Sequence, residues 1–148
     1  MSTVPGAAAA DRPSVAYADT NLFVALFATD EHPSHEAALL LFQRVVDGTL
    51  RLIVTPAIVA ELVYVSAAVL EWSRATLADR LTAMLEADGL DVQEPRVIRR
   101  ALALYRDIAR LDFADAYVAA SALEVGPPFV ASFDSDFDRV EGVNRIKQ

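Results

Sequence analysis

The chain has no cysteine and a single lysine, Lys147, next to its last residue. Without thiols there are no disulfides and no thiolate metal sites, and a reducing cytoplasmic setting is expected. Basic residues are outnumbered, giving a formal net charge of -8. A general polyanion binder usually carries a basic excess, so that class is disfavoured unless many of the acids share one site where a bound cation cancels them. Histidine is scarce as well. His32 and His35 stand alone, with neither an HExxH helix nor a nucleophile elbow beside them. Their plain reading is a solvated loop and helix start. Glycine is sparse and nowhere forms a phosphate-cradling loop, which leaves nucleoside triphosphate binding without support. Residues 1–14 (MSTVPGAAAADRPS) lack the basic start and apolar run of a signal peptide and read as a flexible tail before one domain, 15–148.

What the chain has is apolar residues in abundance and acids in unusual places. The run Leu52–Leu70 (LIVTPAIVAELVYVSAAVL) approaches membrane-spanning length, but Pro56 and Glu61 interrupt it, so a strand, a turn and a buried helix are expected and no membrane partner. A carboxylate inside such a run would cost several kcal/mol if buried alone. Glu61 is therefore expected to be compensated by an arginine of another helix, by a metal ion or by a proton.

Short β-branched strands alternate with helical patterns along the chain. Val15–Ala18 runs into Asp19, with Thr20 or Asn21 as cap of a helix over 22–28. A second helix runs from Ser34 to about Val46. Strand 50–54 leads into a helix opened by Thr55 and Pro56. Helices follow over 75–87, from Pro95 to about Ala109, and over 111–125, with a short strand at 90–92. Strands close the chain at 129–132 and 143–146. This order predicts a three-layer α/β/α fold with a mostly parallel central sheet flanked by helices. On the helix from Pro95, Arg96, Arg99, Arg106 and Arg110 fall near one face. They form either a solvated face or a phosphate-facing rail, with Arg96, Arg99 and Arg106 as the candidates for RNA.

Asp19 and Asp134 each follow a strand, at the edge where open α/β sheets place ligands. Asp115 opens a helix, and Glu61 projects from one. Asp19 and Asp115 also suit plain helix starts. If these acids meet, mutual repulsion requires a shared cation or a proton. Hard oxygen ligands without His or Cys select Mg²⁺ or Mn²⁺, and phosphodiester hydrolysis is the natural chemistry of such a site. The run DSDFD is no calcium loop, since Arg139 and Arg145 occupy the positions of the required Gly and Glu. A receiver-type phosphoacceptor would need a second acid beside Asp19 and a lysine after a late strand; no acid adjoins Asp19, and the one lysine is Lys147 at the terminus.

Five pieces in order resemble the PIN domain, most closely the VapC-type toxins of toxin–antitoxin pairs: Asp19-Thr20-Asn21, EHPSHEAALLLF, TPAIVAELVYV, FADAYVAASALE and ASFDSDF. The resemblance runs from about Val15 to Ile146. It implies a PIN-like fold and a metal-dependent endoribonuclease that cleaves RNA, often tRNA. It also implies a homodimer inhibited by a cognate antitoxin protein. By position it makes Asp19, Glu61, Asp115 and Asp134 the catalytic acids. Asp19, Asp115, Asp134 and Asp136 would then be the ligands of Mg²⁺ or Mn²⁺. Thr20, Asn21 and Ser132 would orient them, Ser132 standing where the family usually has Thr, while Asp112 is an extra acid with no counterpart. The competing expectation is a non-catalytic PIN-like module that binds RNA or protein.

Overall fold

The computed structural model describes residues 12–28 and 31–148; the expected tail lies outside the described residues over 1–11. The element order follows the alternation in the sequence: β1 (Val15–Tyr17), α1 (Thr20–Phe27), α2 (His35–Val46), β2 (Arg51–Val54), α3 (Pro56–Ala68), α4 (Arg74–Leu85), β3 (Leu90–Val92), α5 (Pro95–Asp107), α6 (Phe113–Glu124), β4 (Phe129–Ala131), a 3₁₀ turn (Ser135–Arg139) and β5 (Asn144–Ile146). All strand pairs are parallel. β1, β2 and β3 form one ladder in that order, with Ala16 opposite Leu52 and Leu52 opposite Leu90; β4 and β5 form a second. The chain has the expected α/β architecture, parallel strands flanked by helices.

Local chemistry explains most boundaries. The Thr55 hydroxyl accepts the Ile58 N–H and Pro56 occupies the first helical position, so α3 starts where both favour it. Ser73 caps α4 in the same manner, accepting from Thr76 N at 3.2 Å. Helix α5 buries Val97, Ile98, Ala101, Leu102 and Tyr105 on one side. Alanines 116, 119, 120 and 122 of α6 are buried and let α6 lie close against its neighbours, α5 above all. Gly89, just before β3, has φ +88°, and a Cβ there would stand 2.7 Å from Val45 Cγ1, so this turn requires glycine. Phe23, Leu62, Leu77, Leu81, Ile98, Leu102 and Leu111 are fully buried and form the centre of the core. Each such side chain contributes roughly 1.5–3 kcal/mol by leaving water.

Three boundaries differ from the sequence reading. Helix α1 begins at Thr20, so Asp19 and not Thr20 or Asn21 is the cap residue; its carboxylate makes no cap hydrogen bond. Helix α4 stops at Leu85. Helix α5 stops at Asp107, because Ile108 is extended and Arg110 takes φ 67°. No described helix is long and apolar enough to cross a membrane.

Candidate active site

The ladder delivers Asp19. Ala18, buried, donates its N–H to Ile53 O at 2.9 Å as the last rung of β1, and the chain then turns into α1. Thr20 is 3% exposed, and its hydroxyl donates to Glu61 Oε2 at 2.8 Å, joining the first turn of α1 to the middle of α3. This bond fixes one oxygen of Glu61 and leaves the other available. Glu61 itself is exposed, which corrects the premise that it is a buried charge needing rescue. Helix α3 is apolar on nearly all sides, and Ala57, Glu61, Tyr64 and Ala68 form an exposed face opposite the buried Val59, Leu62, Val63 and Ser66. No arginine neutralises Glu61 among the described residues.

A second group of acids gathers at the start of α6 and the end of β4. Asp115 is half-buried in the first turn of α6. Its own burial first, then the charges of Asp134, Asp112 and Asp136, hold its carboxyl above the ordinary aspartate range. Asp134 is held on both sides: its N–H donates to the Ser132 hydroxyl at 3.0 Å, and its Oδ1 accepts the Asp136 N–H at 2.8 Å. Ser132 thus orients Asp134 through the backbone. Asp112 occupies the cap position of α6 without a capping bond, so its carboxylate is free to face Asp115. Asp136 meets Arg139 at 3.1 Å, and Arg139 also donates to Ala109 O. Asp138 is tied by Arg145, at 2.8 Å, which holds its carboxyl below the usual range.

A model of the PIN domain family matches residues 16–143. The chain belongs to the PIN domain family. A search of curated proteins found no match. PIN domains are generally nucleases and commonly use divalent metals, which gives the acids of this PIN domain a natural context.

Do those acids fit a divalent cation? The donor set does: Asp19, Asp112, Asp115 and Asp134 are hard oxygen ligands that make no ion pair among the described residues. Burial first, and then the charges of Asp134, Asp112 and Asp136, raise Asp115, and a cation would offset both. The spacing is open, however, since no three His, Asp or Glu side chains among the described residues form a ready-made ligand cage. Asp136 is the least available of the proposed ligands, with Arg139 on one oxygen.

The arginine face of α5 is also more engaged than its spacing implied. Arg96 lies 3.9 Å from Glu124, Arg99 is 3.1 Å from Glu86, and Arg106 contacts Asp79 and Asp107 at 3.0 and 2.9 Å. None of the three touches the acid cluster. The residues that sequence reasoning passed over are Arg139 and Arg145, which neutralise the rim of the cluster, and Arg74, which clamps the loop before Asp112. Arg139, one helical turn beyond Asp136, was readable as an i, i+3 pair; the other two meet their partners only through the fold.

Proposed function

We propose that this PIN domain is a metal-dependent endoribonuclease, the toxin component of a VapBC-type pair that acts in the cytoplasm as a homodimer restrained by a cognate antitoxin. The observation that carries the reading is the concentration of carboxylates around Asp115, of which Asp112, Asp115 and Asp134 make no ion pair among the described residues. In it, Asp19, Asp115 and Asp134, with Asp136 at the margin, hold Mg²⁺ or Mn²⁺. When bound, the ion polarises a phosphoryl oxygen and lowers the pKa of a water. Glu61, anchored through Oε2 by Thr20, presents its second oxygen to orient that water and accept its proton. The water oxygen forms the new bond to phosphorus, the bond to the leaving ribose oxygen breaks, and that oxygen takes a proton from solvent. Ser132 and the Asp136 N–H keep Asp134 from turning away.

Purified protein incubated with total RNA and Mg²⁺ or Mn²⁺ is expected to produce discrete cleavage ends, abolished by EDTA. Asp19→Asn and Asp115→Asn are each expected to lose at least ~100-fold in rate, the scale set by losing one essential group, while circular dichroism shows them folded. Retained cleavage by either variant in a clean preparation rejects the assignment. The open spacing of the acids favours a second reading, a module that binds RNA or protein without cutting it. RNA binding with no metal-dependent ends would establish that one.

A further inference from the structure

A cleft of about 440 Å³ lies between α1 and the start of α2, and the described side chains of its lining include Asn21, Leu22, Ala25, His32, Ala37 and Leu41. It shares its first turn of helix with the site. Thr20 binds Glu61, and the next two residues, Asn21 and Leu22, form the cleft wall. We propose that this cleft receives a nucleobase of the RNA strand, next to the phosphate held at the acids, and so sets which sequence is cut. The inference rests on the nuclease reading for its substrate and on the cleft itself for its chemistry.

The lining selects a neutral, flat, hydrogen-bonding ligand. On a chain of net charge -8, no described residue of the cleft is an acid or a base apart from the imidazole of His32. A phosphate gains nothing there, whereas a base loses little by leaving water. The apolar wall of Leu22, Ala25, Ala37 and Leu41 suits the face of a base. Two groups are set to read its edge. The His32 Nδ1 accepts the Ser34 N–H at 3.1 Å, which leaves Nε2 as the ring's donor. Asn21 is exposed, and its amide makes no hydrogen bond among the described residues, leaving a donor and an acceptor in the fork that pairs with a base edge. The walls are fixed relative to each other because His35 Nδ1 donates to Ala25 O at 2.8 Å, tying α2 to α1. The volume falls in the range of small-ligand pockets, roughly 300–1,000 Å³.

The four uncharged nucleosides test the cleft without requiring cleavage. Titrated into the full-length protein and followed by NMR, one or two of them are expected to shift the Asn21 side-chain amide and the His32 ring saturably. Ala37→Trp, which fills the cleft from its exposed rim, is expected to weaken that binding at least tenfold, and His32→Ala, a loop substitution that leaves the helices intact, at least fivefold. Cleavage of a random RNA pool by wild type should show a base preference beside the cut that Ala37→Trp erases. Nucleoside binding by a protein that cuts no RNA would sink the nuclease reading and leave the cleft standing. Cleavage with no base preference and no nucleoside shifts would overturn the cleft alone. Saturable shifts from a leucine-rich amphipathic peptide but from no nucleoside would assign the cleft to a protein segment and overturn it too.

Discussion

Asp115 gives the most direct handle on the acids, because its carboxyl is held above the ordinary range by burial and by Asp134, Asp112 and Asp136. A carboxyl raised in the folded state binds its proton more tightly there than in the unfolded chain. Its contribution to stability is complete below the unfolded pKa, about 3.9, and is lost as pH rises through the higher folded value. At neutral pH without metal the ionised group therefore opposes folding. Asp115→Asn is expected to raise the melting temperature at pH 7 in EDTA, and the advantage should shrink towards zero as pH falls below about 4. Thermal melts across that window check it; equal melting at pH 7 would mean the repulsion is negligible. Added Mg²⁺ is expected to raise the wild-type melting temperature more than that of the variant. Asp19, Asp115 and Asp134 were legible as candidates because each sits at an element boundary, which sequence patterns mark well. Glu61 was legible for a mistaken reason. Apolar neighbours on every side of α3 imitated burial, when Ala57, Tyr64 and Ala68 share its exposed face.

Among the elements, the loop from α5 to α6 depends on a side chain far away in sequence. Arg74, at the start of α4, donates to Tyr105 O at 2.9 Å, to Ile108 O at 3.1 Å and to Leu111 O, and its guanidinium lies 3.8 Å over the Tyr105 ring. It thereby satisfies carbonyls left open at the end of α5 and fixes the residue before Asp112. Arg74→Ala removes all of these contacts and leaves the Tyr105 and Leu111 carbonyls to find water, while Ile108 O keeps the Leu111 N–H. The expected loss is about 2–4 kcal/mol, or roughly 5–15 °C in melting temperature for a chain of this size. Arg74→Lys should recover little, since an ammonium cannot span the same fork. Both are measured by thermal and urea denaturation, and a loss below about 1 kcal/mol would show that the clamp is dispensable. Nothing in the sequence pointed to this role. The helices themselves were readable from caps, prolines and the two-sided pattern of α5, because those signals are local. The end of α5 was overshot, since its stop is set by Arg74 and by the left-handed backbone of Arg110.

At the scale of the molecule, charge decides how RNA would approach. The parallel, helix-flanked architecture followed from the alternation of elements, but the division into two ladders did not, since hydrogen bonds between distant strands leave no local mark. The same holds for the arginines of α5: helical spacing placed them on one face, and only the fold supplied Glu86, Glu124 and Asp79 as their partners. These are exposed pairs, each contributing no more than ~1 kcal/mol, so a phosphate can exchange for a carboxylate at little cost. Glu124 engages both Arg96 and Arg100, the latter at 2.6 Å. Glu124→Gln releases two arginines at once without touching the acids of the site. If the face of α5 carries the RNA backbone, this variant should bind single-stranded RNA more tightly. Its plot of log affinity against log salt should steepen by about 0.7 for each arginine that gains a phosphate. Arg96→Ala and Arg99→Ala should each flatten the slope by a similar amount and weaken all sequences alike, because backbone contacts do not read bases. Filter binding at several salt concentrations separates the outcomes. An unchanged slope in all three variants would remove α5 from the RNA path and leave the neutral cleft beside Asn21 and the acids to hold the strand.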